Sequence, residues 1–195
     1  MTDTRTRPDR RTILLHVGRT VLAEKGFEAT TISEIVARAG VAQGTFYLYF
    51  PSKAALVIAL ALEMNEQIAE AVRSATAGIS SAAEVVERGV TAAFSQYASY
   101  RDVLPLLQSR AIANHESSSH EEQFRVFHLL VADLIRQRQQ RGDITPELDP
   151  DITARLIAGL IHHAADECYQ YDPNALPERY LTETIRFVRR ALEIP

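Results

Sequence analysis

TTISEIVARAGVAQGTFYLYFPSK, residues 30–53, is the stretch of sequence that decides the fold. Thr31 followed by Glu34 makes a capping-box pattern, and the apolar residues after it are spaced three and four apart, as on one face of a helix. Gly40 ends this helix and permits a tight turn, and a second short helix, roughly 42–49, follows at once. The stretch therefore predicts two helices joined as a helix-turn-helix.

The second helix divides into two arcs when its residues are placed 100° apart. The arc predicted to pack inward holds Ala42, Phe46 and Tyr49. The opposite arc, which has Thr45 at its edge, holds Gln43, Gly44, Tyr47 and Leu48. A glutamine can form paired hydrogen bonds with an adenine edge, hydroxyls can donate to phosphates, and a glycine lets the backbone approach closely. This arc predicts a surface that reads DNA in the major groove.

Composition and charge indicate a helical protein that carries a small basic module. Of the 195 residues 46% are hydrophobic, and they follow helical spacing, which predicts an all-α fold. Residues 1–53 hold eight basic and five acidic groups, giving +3, whereas the remainder holds 13 basic and 20 acidic groups, giving −7. Only the N-terminal part is therefore expected to meet phosphate.

The longer stretch GFEATTISEIVARAGVAQGTFYLYFPSKAAL, residues 26–56, resembles the DNA-binding domain of the tetracycline-repressor (TetR) family of bacterial regulators. It has the Gly-Phe after helix 1, the Thr-initiated helix, the Gly-Val turn, a Gly three residues after that Val, and an aromatic run ending in Tyr-x-Tyr-Phe. A lysine follows three residues after this run. The resemblance implies a three-helix helix-turn-helix domain, assigned to residues 1–53.

The resemblance also implies which residues meet DNA. Phosphate contacts are expected from Thr31, Thr45, Tyr47 and Lys53, and approaches to bases are expected from Gln43 and Gly44. Tyr49 stands where many members have histidine. Ser33 stands where some members carry a longer side chain that contacts a base.

The rest of the chain, residues 54–195, is expected to be a helical ligand-binding and dimerisation domain, for about nine helices in all. The predicted helices span about 10–25, 32–39, 42–49, 52–74, 81–100, 102–113, 124–141, 150–169 and 177–193. Helix 8 is apolar on two faces, so it must be covered on both sides. We expect helices 8 and 9 to pair with the same helices of a second chain, as the resemblance also implies. The interface residues are predicted to be Ile157, Ile161, Leu181, Ile185, Val188 and Leu192.

A small-molecule cavity among helices 4 to 8 is implied by the resemblance. Candidate lining residues combine apolar side chains with a few polar tips. They are Phe94, Tyr97, Leu104, Leu107, Phe124, Phe127, His128, Val131 and His162. The expected function is a DNA-binding transcriptional regulator, by the family's usual mode a repressor, which binds a palindromic operator as a homodimer and is released by a small apolar or amphipathic ligand.

A metal site, an enzyme and a DNA-binding protein without ligand control are the three alternatives to this function. A metal site is disfavoured because the adjacent His162 and His163 point about 100° apart and the sequence has no H-x-x-x-H pair or C-x-x-C. An enzyme is disfavoured because the chain has no nucleophile elbow, glycine-rich phosphate loop or HExxH sequence. A DNA-binding protein without ligand control stays open. No cofactor is expected.

A cytoplasmic location with no membrane partner is also expected. The N-terminal MTDTRTRPDRR has no apolar run behind it, as a secretory signal would. The longest apolar run, 54–62, is shorter than the roughly 20 residues that cross a bilayer. Cys168 is the single cysteine, which excludes an intrachain disulfide and fits a reducing compartment.

Overall fold

The computed structural model describes residues 9–107 and 120–194, and the side chains of 120–123 are outside the described parts. Within these residues the chain forms nine α-helices, one π-helical turn and no strand, which confirms the all-α prediction. The helices are α1 (Arg10–Ala29), α2 (Ile32–Ala39), α3 (Gln43–Tyr49), α4 (Lys53–Thr76), α5 (Ala82–Ser99), α6 (Leu104–Leu107), α7 (His120–Arg141), α8 (Pro150–Asp166) and α9 (Pro177–Ala191), with the π-helical turn at Glu167–Tyr171.

The caps predicted for α2 are confirmed. The Thr31 hydroxyl accepts a hydrogen bond from the Glu34 backbone N–H at 3.2 Å. Gly40 has a left-handed backbone with φ 67°, which places the Val41 N–H 3.1 Å from the Val36 carbonyl. Glycine adopts this conformation at no steric cost, so Gly40 sets the tight turn into α3.

Several helix ends differ from the predicted ones, including the start of α7 at His120, four residues before the predicted start. α1 runs to Ala29, but its backbone is broken at Gly26 (φ 76°, ψ 174°), where the sequence predicted the end. The α-helical part of α8 ends at Asp166 and passes into the π-helical turn, which covers the rest of the predicted helix. Helix 6 was predicted over 102–113, and residues 108–113 lie outside the described residues.

The chain divides into two compact units, Met1–Ala61 with Pro105–Ser117, and Leu62–Leu104 with Ser118–Pro195. The predicted functional boundary after residue 53 stays a prediction, since the first unit continues through the start of α4. This start is well anchored, because the Ser52 hydroxyl accepts from the Ala55 N–H at 2.9 Å and Leu56 is fully buried.

α3 and α4 together bear on the question of membrane spans. No single helix among the described residues is both long and apolar enough to cross a bilayer. α3 and α4 meet that requirement by length and composition only as a pair, which is bent by 54°.

The dimer interface predicted on α8 and α9 differs from the surface that these helices expose. Four of its six residues are instead buried within a single chain, with at most 7% of their surface exposed. They are Ile157, Ile161, Val188 and Leu192. They lie on helices that contact α5, so their apolar surface is already covered by their own chain. The other two predicted residues, Leu181 and Ile185, are half-buried and stay a prediction.

Candidate nucleic-acid interface and ligand-binding centre

α3 presents Phe46 to the core and a mixed face to solvent, but Ala42 and Tyr49, which were also predicted to pack inward, are exposed. Phe46 is fully buried and its ring packs 5.6 Å from that of Phe50, which is also buried. On the other side Tyr47 is 50% exposed and Leu48 is 81% exposed. Burial of the phenylalanines fixes the rotation of α3, so the exposed arc is held in one orientation.

The side chains predicted to contact DNA lie mostly on this exposed side. Gln43 and Gly44 at the start of α3 are exposed, and a Cβ added at Gly44 would meet nothing within 4 Å. Tyr49, predicted to pack inward and also assigned to DNA, is 37% exposed. The open surface at Gly44 leaves room for close approach of a partner.

Two further predicted residues stand at the start of α2. Thr31 and Ser33 are both exposed. The Thr31 oxygen accepts from Glu34, which leaves its hydroxyl proton available to donate elsewhere. Thr45 in α3 is half-buried.

A network of ion pairs joins α1 to α2. Arg38 contacts Glu24 at 2.7 Å and Glu34 at 2.8 Å, and Lys25 contacts Glu34 at 2.8 Å. The hydrogen bond from Lys25, supported by Arg38, lowers the pKa of the exposed Glu34 carboxyl. These pairs lie at the surface, so they orient the two helices more than they stabilise them.

Lys53 has a structural role that its sequence position did not reveal. Its ammonium donates to the carbonyl oxygens of Phe27 and of Thr30, the latter at 2.8 Å, and lies 4.2 Å from the centre of the Phe27 ring. Lys53 therefore ties the first turn of α4 to the junction between α1 and α2. A lysine ammonium has three protons, so one remains for a phosphate oxygen.

Leu48 and Asp166 were missed among the predicted site residues. Leu48 lies on the predicted exposed arc of α3 but has no polar atom that could form a hydrogen bond. Asp166 lies four residues after His162, a spacing that puts both side chains on one face of a helix.

In the second unit, a polar chain joins the buried Tyr97 to the half-buried His162 and Asp166. The fully buried Tyr97 hydroxyl lies 3.0 Å from Nδ1 of His162, whose Nε2 lies 3.5 Å from an oxygen of Asp166. Burial, with the nearby Asp166 carboxylate, raises the pKa of Tyr97 far above its usual value. A protonated Tyr97 can donate to Nδ1, which leaves the Nε2 proton directed at Asp166.

Aromatic contacts join several residues predicted to line a ligand pocket, and the pocket itself stays a prediction. The Phe124 ring packs edge-on against His162 at 4.9 Å between centroids and lies 6.1 Å from His128. Phe94 contacts Tyr169, whose hydroxyl also reaches the Phe94 carbonyl at 3.5 Å. The structure thus brings Tyr97, Phe124, His128 and His162 together.

The remaining predicted pocket residues are divided between other surroundings. Phe127 and Val131 line an adjoining cavity of about 70 Å³, whose wall is almost wholly apolar and comes from α4, α5, α7, α8 and α9. Arg138 also lines this cavity. Leu104 is fully buried in the second unit, and Leu107 belongs to the first.

The outward faces of α8 and α9 form an exposed groove of about 500 Å³. Large apolar side chains stand along these faces, with Leu156 69% exposed and Phe187 62% exposed. Leu160, His163 and Tyr180 line the groove. Uncovered apolar surface of this size on two neighbouring helices is typical of an interaction site.

Similarity to known proteins agrees with both parts of the chain. Residues 14–60 match the family model described as bacterial regulatory proteins, tetR family, and residues 86–192 match that of the tetracyclin repressor-like C-terminal domain. YvdT, an HTH-type transcriptional regulator of Bacillus subtilis (strain 168), is 28% identical over 182 residues, covering 92% of this chain and 93% of the relative.

Solved structures with the same fold include two regulators named FadR. The fatty acid degradation regulator FadR from Bacillus halodurans has a TM-score of 0.77 at 21% identity, covering 94% of this chain and 96% of that one. FadR from Bacillus subtilis in complex with stearoyl-CoA has a TM-score of 0.74 at 21% identity, covering 91% and 96%. The helix-turn-helix geometry and the two family matches lead to one conclusion: the chain belongs to the TetR family of helix-turn-helix transcriptional regulators.

Proposed function

We propose that the protein is a repressor that binds a palindromic DNA operator as a homodimer and is released by a small apolar or amphipathic ligand. The observation that carries the proposal is the exposed arc of α3, held outward by the buried Phe46. A short helix whose polar, glycine-containing face is open to solvent, within a helix-turn-helix, fits a major groove.

Each predicted DNA contact has a chemical role in this proposal. Gln43 reads a base edge, Gly44 lets the backbone approach, and the hydroxyls of Thr31, Thr45 and Tyr47 donate to phosphates. Ser33 and Tyr49 lie beside these residues at the same surface, and Lys53 offers its remaining proton to a phosphate. The apolar Leu48 can contact only a thymine methyl or a sugar.

The homodimer is proposed to form through the outward faces of α8 and α9. Leu156 and Phe187 are large, apolar and exposed, and they replace the inner-face residues of the sequence-based prediction. Two copies of this surface, related by a twofold axis, would make a four-helix interface. Dimerisation would place two copies of α3 about one DNA turn or slightly more apart, the geometry that a palindrome requires.

Ligand control is proposed to act through α4. This helix contributes residues to both compact units, so a ligand that prefers one setting of α4 would alter the DNA-binding unit. The Tyr97–His162–Asp166 chain supplies polar handles for such a ligand among apolar rings. Because FadR of Bacillus subtilis was solved with stearoyl-CoA, acyl-CoA thioesters of graded chain length are the first ligands to test.

The proposal is tested by selecting bound DNA from a random library with the full chain. A palindromic consensus is expected, and it would settle DNA recognition and symmetry together. Enrichment of a consensus without dyad symmetry would contradict the homodimer, and no enrichment would contradict sequence-specific binding. Operator affinity is then measured with each acyl-CoA. Unchanged affinity at saturating bound ligand would favour a DNA-binding protein without ligand control.

A further inference from the structure

Most cations of the first unit are already engaged within the chain. Lys25 and Arg38 are held in ion pairs with carboxylates at 2.8 Å or less. The Lys53 ammonium donates to two backbone carbonyls. The other predicted phosphate contacts come from neutral hydroxyl side chains. Because proteins draw much of their affinity for DNA from cations that replace counterions at phosphates, this interface needs positive charge from elsewhere.

Arg10 and Arg11, in the first turn of α1, carry such charge. Both are exposed, and among the described residues neither has a carboxylate within ion-pairing distance. The first turn of α1 contains no acidic residue, and the Asp9 side chain makes no capping hydrogen bond. Positive charge near a helix N-terminus opposes the helix dipole, so these arginines do not stabilise α1. Their charge is available to a partner outside the chain.

The guanidinium of Arg11 is held beside the C-terminal end of α3. Its central carbon lies 5.7 Å from the centre of the ring of Phe50, the residue that ends α3. Arg11 also begins the buried stripe of α1, because the buried Leu14 and Leu15 follow it at three and four positions. An arginine in such a place can cover apolar surface with its stem and keep its charged head in water.

The same end of α3 lies at the predicted DNA surface. The ring of Tyr49, a predicted DNA contact, lies 6.5 Å from the ring of Phe50. α3 has seven residues and is therefore about 10 Å long, close to the roughly 12 Å width of the major groove. If Gln43 at its start reads a base, its other end reaches the edge of the groove, where the phosphates lie.

We propose that Arg11 binds a DNA phosphate at the edge of the major groove that α3 enters, with the Phe50 ring fixing its position. This contact rests on the proposed DNA-binding role of α3 and adds to it a cation from α1, a helix to which the sequence assigned no contact. A guanidinium can offer two parallel N–H donors to one phosphate. The alternative is that Arg11 only shields Phe50 from water, in which case its charge has no effect on DNA binding.

The two roles are distinguished by the salt dependence of DNA binding. The full chain is titrated with a mixed-sequence duplex of about three helical turns, since a phosphate contact does not depend on base sequence. Arg11→Met keeps an apolar cover over Phe50 and removes the charge. One lost phosphate contact lowers the slope of log K against log salt by about 0.9 for each bound chain. Arg11→Met should therefore weaken binding, with a deficit about threefold to fourfold larger at 50 mM than at 200 mM salt for each bound chain.

Two control variants separate the charge of Arg11 from its cover and from the net charge of the chain. Arg11→Lys keeps a cation and should keep the wild-type salt slope. Arg88→Met removes an exposed charge from α5, in the second unit, and should also keep that slope. All three variants should melt within about 4 °C of the wild type, since an exposed cation–π contact contributes little. Equal slopes for the wild type and Arg11→Met would overturn the assignment, as would an equal loss of slope in Arg88→Met.

The same titrations separate the role of Arg11 from the proposed function. Wild-type binding to the duplex with a salt slope that does not depend on Arg11 overturns only the assignment of Arg11. No wild-type binding to the duplex at low salt overturns that assignment together with the proposed DNA binding. A slope that depends on Arg11 supports the phosphate contact whether or not a palindromic consensus is selected.

Discussion

Replacing Lys53 with methionine separates the structural role of this residue from a role in DNA binding. Methionine keeps the length of the side chain and removes the ammonium. The change deletes the hydrogen bonds to the Phe27 and Thr30 carbonyls and the contact with the Phe27 ring. Because these bonds join α4 to the junction of α1 and α2, their loss should destabilise the helix-turn-helix itself.

The size of the loss follows from the contacts. A hydrogen bond to a charged group contributes about 1.5–3 kcal/mol, and two bonds from one ammonium are not additive. The half-buried site lowers the sum further, so we expect Lys53→Met to reduce the free energy of unfolding by about 2–4 kcal/mol. That is a large share of the roughly 5–15 kcal/mol available to a folded domain.

Lys25→Met is the matched control for Lys53→Met. It removes one positive charge from the same unit, but Lys25 is 43% exposed and pairs with Glu34 at the surface. Surface ion pairs contribute about 0–1 kcal/mol, so the control should lose little stability. Urea denaturation followed by circular dichroism measures both variants, and amide exchange at the start of α2 reports whether the loss is local.

An unchanged free energy of unfolding would instead support the role predicted from the sequence, in which Lys53 contacts only phosphate. If it acts only on phosphate, Lys53→Met should weaken binding to all DNA sequences alike and lower the salt slope by about one, with stability equal to that of Lys25→Met. Equal stability of the two variants would therefore refute the structural argument. A stability loss with an unchanged salt slope would show that the third proton does not reach DNA.

Three other substitutions test base recognition by α3, the packing of Gly18 and the proposed dimer surface. Gln43→Ala should relax the preference at particular base pairs in a binding selection by about 1–3 kcal/mol, and uniform weakening at all sites would contradict base reading. Gly18→Ala places a Cβ 2.8 Å from the buried Leu56 side chain and should cost about 1–3 kcal/mol in thermal or urea unfolding, whereas Gly44→Ala, with open space, should cost none. Leu156→Glu, on the outward face of α8, should yield a monomer in sedimentation at micromolar concentration, while Leu129→Glu, an exposed leucine on α7, should not.

The parts of the fold that depend on neighbouring residues could be predicted from the sequence. The capping of α2 by Thr31 and its termination at Gly40 require only residues within one helical turn. The rotation of α3 follows in the same way, because Phe46 must be buried and Tyr47, one residue on, then points about 100° away. Both arguments use local geometry. The caps of α2 and the burial of Phe46 match it, whereas Ala42 and Tyr49, predicted on the inner arc of α3, are exposed.

Features that depend on distant residues could not be predicted in this way. The acceptors of Lys53 are backbone carbonyls 26 and 23 residues earlier in the chain, and no side-chain pattern identifies them. The burial of Arg138 likewise depends on a loop 58 and 59 residues away. The sequence predicts a DNA contact for Lys53 because a phosphate contact was the only role that its residue type and its position in the first turn of α4 suggested.

The two faces of α8 show why the same limit applies to the dimer interface. Leu156 and Ile157 are neighbours in sequence with nearly equal hydrophobicity, yet one is 69% exposed and the other 7%. The hydrophobic periodicity identifies both apolar stripes of α8 but does not tell which of them is buried. The helices that contact α8, which are α5, α7 and α9, bury the stripe that contains Ile157 and leave the stripe with Leu156 uncovered. Because uncovered apolar surface is what drives association, the same packing that forms the core selects the surface proposed to bind a second chain.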